Sequence, residues 1–489
     1  MRKKIIAFFH SRLFQTASLS LISVILVRAI NLISIPIFSR LLTTVEYGTV
    51  DIFFSYANIF MIILGLDTQG AVAKARLDFR DDPDTYMATN LIFTAGFACA
   101  IAVVVNVLYV WLQGLIGLSR IETNLVLVYG YSLYLIAFRT AENNFDFQFK
   151  KNIVMSGTVS LLNVAVSIIL ILTVFNRDRQ SGRIIGASVP TAICAFIIWF
   201  MICQRGKWRY NRTHIRYALK FGVPLVPHNL SHIILSSADR IMIKAMISAS
   251  AAGIYSLSYT LGMLIMVVSE GMNQAFAPWL FRKIDSGKIG DVTKAQRLYL
   301  MVYVVICIAV MTISPEIVKI IGPRDYWDGT RFVMWVVYAV FLNFTYTLYV
   351  NIEFFYLKSN WISTGTIAAA IVNCVLNSFF LKKVGYQFGA YSTVISYAAL
   401  LLFHMIIVNC VLKKNYTDNR FVVLVVLSLF FVTFGMNVFS ENLYPRLLIG
   451  VAAEIVAIGA IYVIYRKQGK IDFSLKEENE EHEAEASEI

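Results

Sequence analysis

The sequence predicts an all-α integral membrane protein with about 14 membrane-spanning helices. Of its 489 residues, 58% are hydrophobic and only 15% are charged, and the mean hydropathy is +0.67. A soluble protein averages about 25% charged residues. A spanning helix needs about 20 apolar residues, so roughly 280 apolar residues supply about 14 spans. A transmembrane β-barrel is excluded because the apolar runs are continuous instead of alternating.

The apolar runs place the spans in two groups of six, followed by a final pair. The first group lies near 17–39, 47–72, 87–111, 121–141, 154–176 and 184–203, and a basic loop covers 204–216. The second group lies near 219–243, 247–270, 295–321, 329–353, 361–381 and 386–412, and the pair lies near 421–439 and 445–465. We therefore predict an N-terminal six-helix bundle (1–212), a second six-helix bundle (213–412) and two additional spans (413–466). The acidic tail, 467–489, is predicted to be disordered in the cytoplasm.

The distribution of Lys and Arg predicts the orientation in the membrane. With a cytoplasmic N-terminus, the inner loops and tails hold about 29 of the 43 basic residues and the outer loops about 12. Both termini are therefore expected in the cytoplasm. The exception to this bias is the outer loop 176–183, which carries three arginines. The net charge of +13 follows from this bias, and no nucleic-acid-binding motif accompanies it.

No enzyme motif stands out. The six cysteines form no CxxC pair, which argues against a disulfide framework or a metal centre. There is no Walker A motif, no nucleophile elbow and no HExxH. All predicted outer loops are short. We therefore expect a transporter without a cofactor. Coupling to a proton or sodium gradient stays open, and the candidate carboxylates near the spans are Asp51, Asp67, Glu270, Glu353 and Glu454.

A weak internal repeat relates the two groups of six spans. The second span of each group opens with a similar segment, and Gly48 aligns with Gly253 at a spacing of about 205 residues. Six is an even number, so both copies start from the same side of the membrane. A parallel repeat about an axis along the membrane normal follows, with a site expected between the halves.

Two arginines lie within predicted spans, each on the first helix of its half. A charge inside the bilayer costs at least a few kcal/mol and usually faces a cavity or a partner. Arg28 is central in its span and Asn31 shares its face. Arg240 lies in the outer half of span 7, with Lys244 one turn beyond and Asp239 as a candidate counter-ion. Arginine binds phosphate in a bidentate manner, so these residues predict an anion site; packing and snorkelling are the alternative roles.

Span 7 carries further polar and helix-breaking residues. His228 and His232 lie at i and i+4 and share a face. Zinc would need more ligands than the sequence places nearby, so a polar cavity wall or a packing role is the better interpretation. Pro224 and Pro227 remove backbone hydrogen bonds and predict a bend, which suits a hinge.

These segments resemble a known family. The residues are GVPLVPHNLS at 222–231, SSADRIMI at 236–243, AGIYSLSY at 252–259 and SRLLTTVEYG at 39–48. They are similar to the polysaccharide transport family, which includes Wzx-type O-antigen flippases and exporters of capsule units. That family is part of the multidrug/oligosaccharidyl-lipid/polysaccharide (MOP) superfamily. The resemblance covers about residues 10–465.

The resemblance implies a V-shaped, MATE-like pair of bundles in the bacterial cytoplasmic membrane. Its implied substrate is an undecaprenyl-pyrophosphate-linked oligosaccharide, moved from the inner to the outer leaflet for O-antigen, lipopolysaccharide or capsule biosynthesis. A polysaccharide polymerase and a chain-length regulator are implied partners. The alternatives are a drug antiporter, for which a negative cavity is expected, a lipid II flippase, and a polymerase or ligase.

Overall fold

The computed structural model describes residues 33–146, 148–356 and 358–468, and this part of the chain is helical without a β-strand. Arg28 and Asn31 lie outside the described residues. After a helical segment at 33–41, the helices are α1 (Thr44–Gly65), α2 (Val72–Asp78), α3 (Pro83–Val107), α4 (Tyr109–Ile116), α5 (Arg120–Phe145), α6 (Phe149–Thr173), α7 (Arg179–Arg205), α8 (Arg212–Gly222), α9 (Val226–Met246), α10 (Ala249–Asp285), α11 (Ile289–Ile321), α12 (Val333–Phe355), α13 (Ser359–Val384), α14 (Phe388–Ile406), α15 (Asn419–Val438) and α16 (Leu443–Gln468).

Polar caps explain where several helices begin. Thr43 and Glu46 form a capping box at the start of α1, and Ser119 and Glu122 form another at the start of α5. The side chain of Asp178 accepts a hydrogen bond from the amide of Ser181 at the start of α7. Each cap satisfies backbone N–H groups that the helix itself leaves without a partner.

Twelve helices in the described ranges are long and apolar enough to cross a membrane. The predicted span at 17–39 begins outside the described residues. The predicted span at 219–243 is broken into α8, a 3₁₀ turn at Val223–Leu225, and α9. The all-helical multi-pass prediction is confirmed, while the exact number of 14 stays a prediction.

The chain forms two compact units, and each is discontinuous in sequence. The first comprises Met1–Thr260, Glu316–Thr330 and Thr366–Ser396. In it α1 packs against α5 and α9, and α7 packs against α5 and α6. The second comprises Leu261–Pro315, Arg331–Gly365 and Tyr397–Ile489. Its most enclosed helix is α12, which packs against α15. The predicted boundaries at 212 and 412 are not those of these units, and the division into two six-helix bundles stays a prediction.

The two glycines that align in the internal repeat are in contact within the first unit. A Cβ built on Gly48 would lie 2.0 Å from the carbonyl oxygen of Ala249, and one built on Gly253 would lie 2.1 Å from that of Thr44. Only residues without a Cβ permit so close an approach of two backbones. The contact is reciprocal, which is what a twofold axis between two repeat copies generates.

A second repeat-related pair lies one turn further along the same helices. Ser256, 205 residues after Asp51, donates a 2.8 Å hydrogen bond to the Asp51 carboxylate. The spacing read from the sequence thus matches two contacts between α1 and α10, both within the first unit.

Candidate functional site

A cavity of about 490 Å³ lies in the first unit among α1, α5, α6 and α7. Its wall combines amide and hydroxyl groups with aromatic rings; those used below are Asn58, Ser156, Ser160, Asn163, Phe54 and Tyr129. Small-molecule sites typically enclose about 300–1,000 Å³ and carry a few polar groups on a largely apolar wall. The cavity has the size and composition of a ligand site.

Arg183 is the only cationic side chain of the described cavity wall. Its guanidinium carbon lies 3.9 Å from the centre of the Phe38 ring, and Nη1 donates a 2.9 Å hydrogen bond to Ser167 Oγ. None of the ion pairs within the described ranges includes Arg183. A cation over an aromatic face is stabilised by the ring quadrupole, so the charge is retained without a carboxylate.

Sequence reasoning missed Arg183 because it counted this residue among the arginines of the outer loop. In the structure α7 begins at Arg179, so Arg183 lies on its second turn. A Cβ on Gly186 would lie 2.4 Å from the Ser167 Cα, which shows how closely α7 and α6 approach there. The signal was the Asp178–Ser181 cap, which starts the helix before Arg183.

Arg240 pairs with Asp51 and not with its neighbour Asp239. Arg240 Nη1 lies 3.1 Å from Asp51 Oδ2, and its guanidinium also lies 5.1 Å from the centre of the Tyr259 ring. Asp239 as the counter-ion of Arg240 or Lys244 was a wrong expectation, since successive residues of a helix point about 100° apart. Lys244 donates a 2.9 Å hydrogen bond to the carbonyl oxygen of Gly117.

Asp239 is buried, and its carboxylate receives neutral donors. Oδ1 accepts from Asn377 at 2.6 Å, and Oδ2 accepts from Thr393 at 2.5 Å and from Tyr255 at 3.0 Å. Thr393 also donates to the carbonyl oxygen of Gly389, and Asn377 donates to Asn373. Carboxylate, amide, hydroxyl and carbonyl oxygens are the ligands of a hard cation. The described partners of this carboxylate are thus neutral hydrogen-bond donors, and no cationic side chain is among them.

The remaining predicted site residues on span 7 are spread along α9 and the turn before it. Pro224 lies in the 3₁₀ turn Val223–Leu225, and Pro227 lies in the first turn of α9. The expected bend thus has a structural counterpart, while its role as a hinge stays a prediction. The side chains of His228 and His232 lie outside the described residues. Within the described ranges no three His, Cys, Asp or Glu side chains cluster as a metal site.

The second unit contains a buried acid–base pair, and the sequence analysis named only one of its two members. His404 Nδ1 lies 2.8 Å from Glu353 Oε1, and both side chains are fully buried. Glu353 was among the candidate carboxylates, but its partner is 51 residues away on α14. No local spacing signals such a pair.

Comparison with known proteins assigns the chain to a family. Residues 13–283, more than half of the chain, match the family described as polysaccharide biosynthesis protein. The chain belongs to this family. A relative named Lsg locus putative protein 1, from Haemophilus influenzae, is 20% identical over 372 residues, which is 74% of this chain and 89% of the relative.

Two solved structures share the fold of this family member. Lipid II flippase MurJ in an inward closed conformation matches with a TM-score of 0.61 and 14% identity, over 90% of this chain and 99% of that chain. An inward-facing multidrug resistance MATE transporter of the MOP superfamily matches with a TM-score of 0.54 and 13% identity, over 79% and 96%. The MATE-like fold implied by the sequence is confirmed. At these identities the likeness establishes the fold alone.

Proposed function

We propose that this protein is a flippase that moves an undecaprenyl-pyrophosphate-linked oligosaccharide between the leaflets of the bacterial cytoplasmic membrane. The observation that carries the proposal is the charge of the cavity in the first unit. Asp51 is neutralised by Arg240, whereas Arg183 keeps its positive charge without a described carboxylate partner. The cavity therefore favours an anionic ligand, which suits a lipid-linked oligosaccharide that carries acidic groups on its carrier or its sugars.

The same observation weighs against the drug-exporter alternative. A cavity that selects organic cations needs an unpaired carboxylate, and the one carboxylate of the described cavity wall, that of Asp51, is held by Arg240. A lipid II flippase differs from our proposal only in the glycan, so it is an outcome of the experiment below.

We propose alternating access as the transport mechanism. The close Gly48–Gly253 contact, the Asp51–Arg240 pair and the Thr44–Ser250 hydrogen bond of 2.7 Å all join α1 to α9 or α10 at the same end of α1. Access at this end would require these contacts to separate. The prolines before α9 offer a place where that motion can be absorbed.

We propose that the ion gradient, if one drives transport, acts through the Asp239 group. Its carboxylate is buried beside α13 and α14 and faces only neutral oxygen and nitrogen donors in the described structure. An Asp239→Asn substitution should remove the dependence of transport on sodium or on pH, whichever wild type shows. Unchanged dependence would exclude this group as the coupling site.

We further propose that the protein lies in the cytoplasmic membrane as a multi-pass protein with both termini in the cytoplasm. It would act there together with a polymerase and a chain-length regulator. The substrate head group is expected to meet Arg28 and Asn31 as well as Arg240. The polysaccharide product is expected at the cell surface, as O-antigen or capsule.

The test is a gene deletion followed by analysis of lipid-linked intermediates in each leaflet. We expect surface polysaccharide to be lost and its lipid-linked unit to accumulate on the inner leaflet, with rescue by wild type and not by Arg28→Ala. Arg177→Ala is the matched control, because Arg177 is exposed between α6 and α7. Intact polysaccharide with new drug sensitivity would indicate an exporter. Translocated but unpolymerised units would indicate a polymerase, and accumulation of the lipid-linked peptidoglycan precursor on the inner leaflet would indicate a lipid II flippase.

A further inference from the structure

Resting on the proposed function, we infer that the transported glycan is acidic and that Arg183 binds the carboxylate of one of its sugars. Three features of the described part of the cavity support this: the edge of the guanidinium that donates to no described residue, the polar groups around it, and the single cation of the described wall. Each is a property of α1, α6, α7 or the segment 33–41 within the first unit.

The guanidinium of Arg183 is fixed in orientation, with one edge left open. Phe38 covers one face at 3.9 Å, and Phe54 lies 5.3 Å away. The hydrogen bonds that Arg183 makes to described residues all leave from Nη1, to Ser167 Oγ and to the carbonyl oxygen of Asn163. The edge formed by Nε and Nη2 remains, and two parallel N–H groups on one edge match the two oxygens of a carboxylate.

The groups around Arg183 suit a sugar. Asn58 and Asn163 contribute amides, and Ser156 and Ser160 contribute hydroxyls, to the same cavity wall. Such groups exchange hydrogen bonds with sugar hydroxyls in either direction, because each carries acceptors as well as donors. A cavity of about 490 Å³ accommodates a small-molecule fragment and not a long glycan, so it would bind one part of the repeat unit.

The single cation argues for a carboxylate over the pyrophosphate of the lipid carrier. Protein sites for di- and triphosphates gather several donors of positive charge, such as Lys, Arg, metal ions or rows of backbone N–H groups. The described wall of this cavity offers one guanidinium and otherwise neutral side chains, apart from the paired Asp51. One guanidinium edge balances one carboxylate.

The test is a binding measurement on the full-length protein purified in detergent, with two disaccharides that differ only in charge. Cellobiouronate carries a carboxylate where cellobiose carries a hydroxymethyl group. We expect ligand-detected NMR titration to give a dissociation constant about tenfold or more lower for cellobiouronate than for cellobiose, as a charge-assisted bidentate contact provides. Arg183→Gln should abolish this preference, so that the two sugars bind with equal constants. Arg183→Lys should keep part of the preference, since the charge remains without the fork.

Arg177→Gln, which changes an exposed arginine near the start of the same helix, should keep the full preference. A purely structural role of Arg183 would weaken both sugars alike, so the ratio of the two constants separates binding from folding. Equal constants in wild type, or a preference that survives in Arg183→Gln, would overturn the inference.

Inorganic pyrophosphate is the third probe. If it competes at Arg183 while the acidic disaccharide gains nothing over the neutral one, Arg183 binds the carrier head group; the acidic-glycan inference then fails and the flippase proposal stands. If the deletion strain still exports polysaccharide normally, the proposed function fails whichever sugar the purified protein prefers.

Discussion

Replacing Gly48 by alanine should separate α1 from α10. The added Cβ would lie 2.0 Å from the carbonyl oxygen of Ala249 and 2.7 Å from the amide nitrogen of Gly253, both backbone atoms that no side-chain rotation can move. Ordinary van der Waals contact begins near 3.4 Å, so the helices must move apart by about 1.4 Å. Overpacking of this kind costs about 1–3 kcal/mol, which shifts the equilibrium between closed and separated helices about 5- to 150-fold.

Disulfide formation between Thr44→Cys and Ser250→Cys measures this equilibrium. The two hydroxyl oxygens lie 2.7 Å apart, which brings the side chains within the reach of a disulfide. In a background without the exposed Cys99 and Cys410, we expect the rate of cross-linking, followed by mass spectrometry of the linked peptides, to fall when Gly48→Ala is added, by at most about 5- to 150-fold because the rate follows the closed fraction. Gly253→Ala should act in the same way.

Gly96→Ala is the matched control. Gly96 is also helical, but a Cβ there would meet no atom within 4 Å. Both alanines raise helix propensity by about 1 kcal/mol, so a difference between the two variants isolates the helix contact. Cross-linking at the wild-type rate in Gly48→Ala would refute the reasoning, because it would mean that the two helices do not rely on this approach.

Three other predictions follow from the described contacts. Asp51→Ala should lower the free energy of unfolding by about 1–3 kcal/mol, which is less than for a fully buried pair because both side chains are partly exposed. The double variant Asp51→Arg with Arg240→Asp exchanges the charges and should regain part of the lost stability, as measured by thermal unfolding. His404→Phe should cost about 3–5 kcal/mol by leaving the buried Glu353 carboxylate alone, whereas adding Glu353→Gln should recover much of it; equal stability of the single and double variants would contradict the pair. Burial among aromatic rings lowers the pKa of His214, so the imidazole of the unfolded chain is protonated at a higher pH than that of the folded chain. The free energy of unfolding should therefore fall as the pH drops below about 6.5. The slope of this fall should be smaller in the variant His214→Phe.

The fold was predictable because its signals are local or periodic. Continuous apolar runs predicted the helices, and the repeat spacing aligned Gly48 with Gly253, whose contact the structure then shows. The predicted span 219–243 contains two prolines and is broken in the structure, and the 3₁₀ turn lies where the first of them removes a backbone donor.

The candidate site was less predictable because the role of a charged side chain depends on the residue that it pairs with, and a local sequence pattern does not show that residue. Arg240 and Arg183 look alike in sequence, yet Asp51 neutralises the first from another helix, and Phe38 covers the second without neutralising it. Asp239 adjoins Arg240 in sequence, but two of its three described donors come from residues 377 and 393. Such partners lie more than 130 residues away, beyond the reach of pattern reasoning.

The Asp51–Arg240 pair joins the two repeat copies. Unlike a pair within one helix, it must break when the two helices separate. Asp51 belongs to the second span of the first half and Arg240 to the first span of the second half. In any state in which α1 and α9 separate, Asp51 and Arg240 lose their ion-pair partners. The free-energy cost is large because the bilayer solvates charges poorly. In the proposed mechanism, an anionic substrate would lower that cost for Arg240 by taking the place of Asp51. Arg240 is paired with Asp51 in the described arrangement, and we expect it to bind substrate only when the helices part.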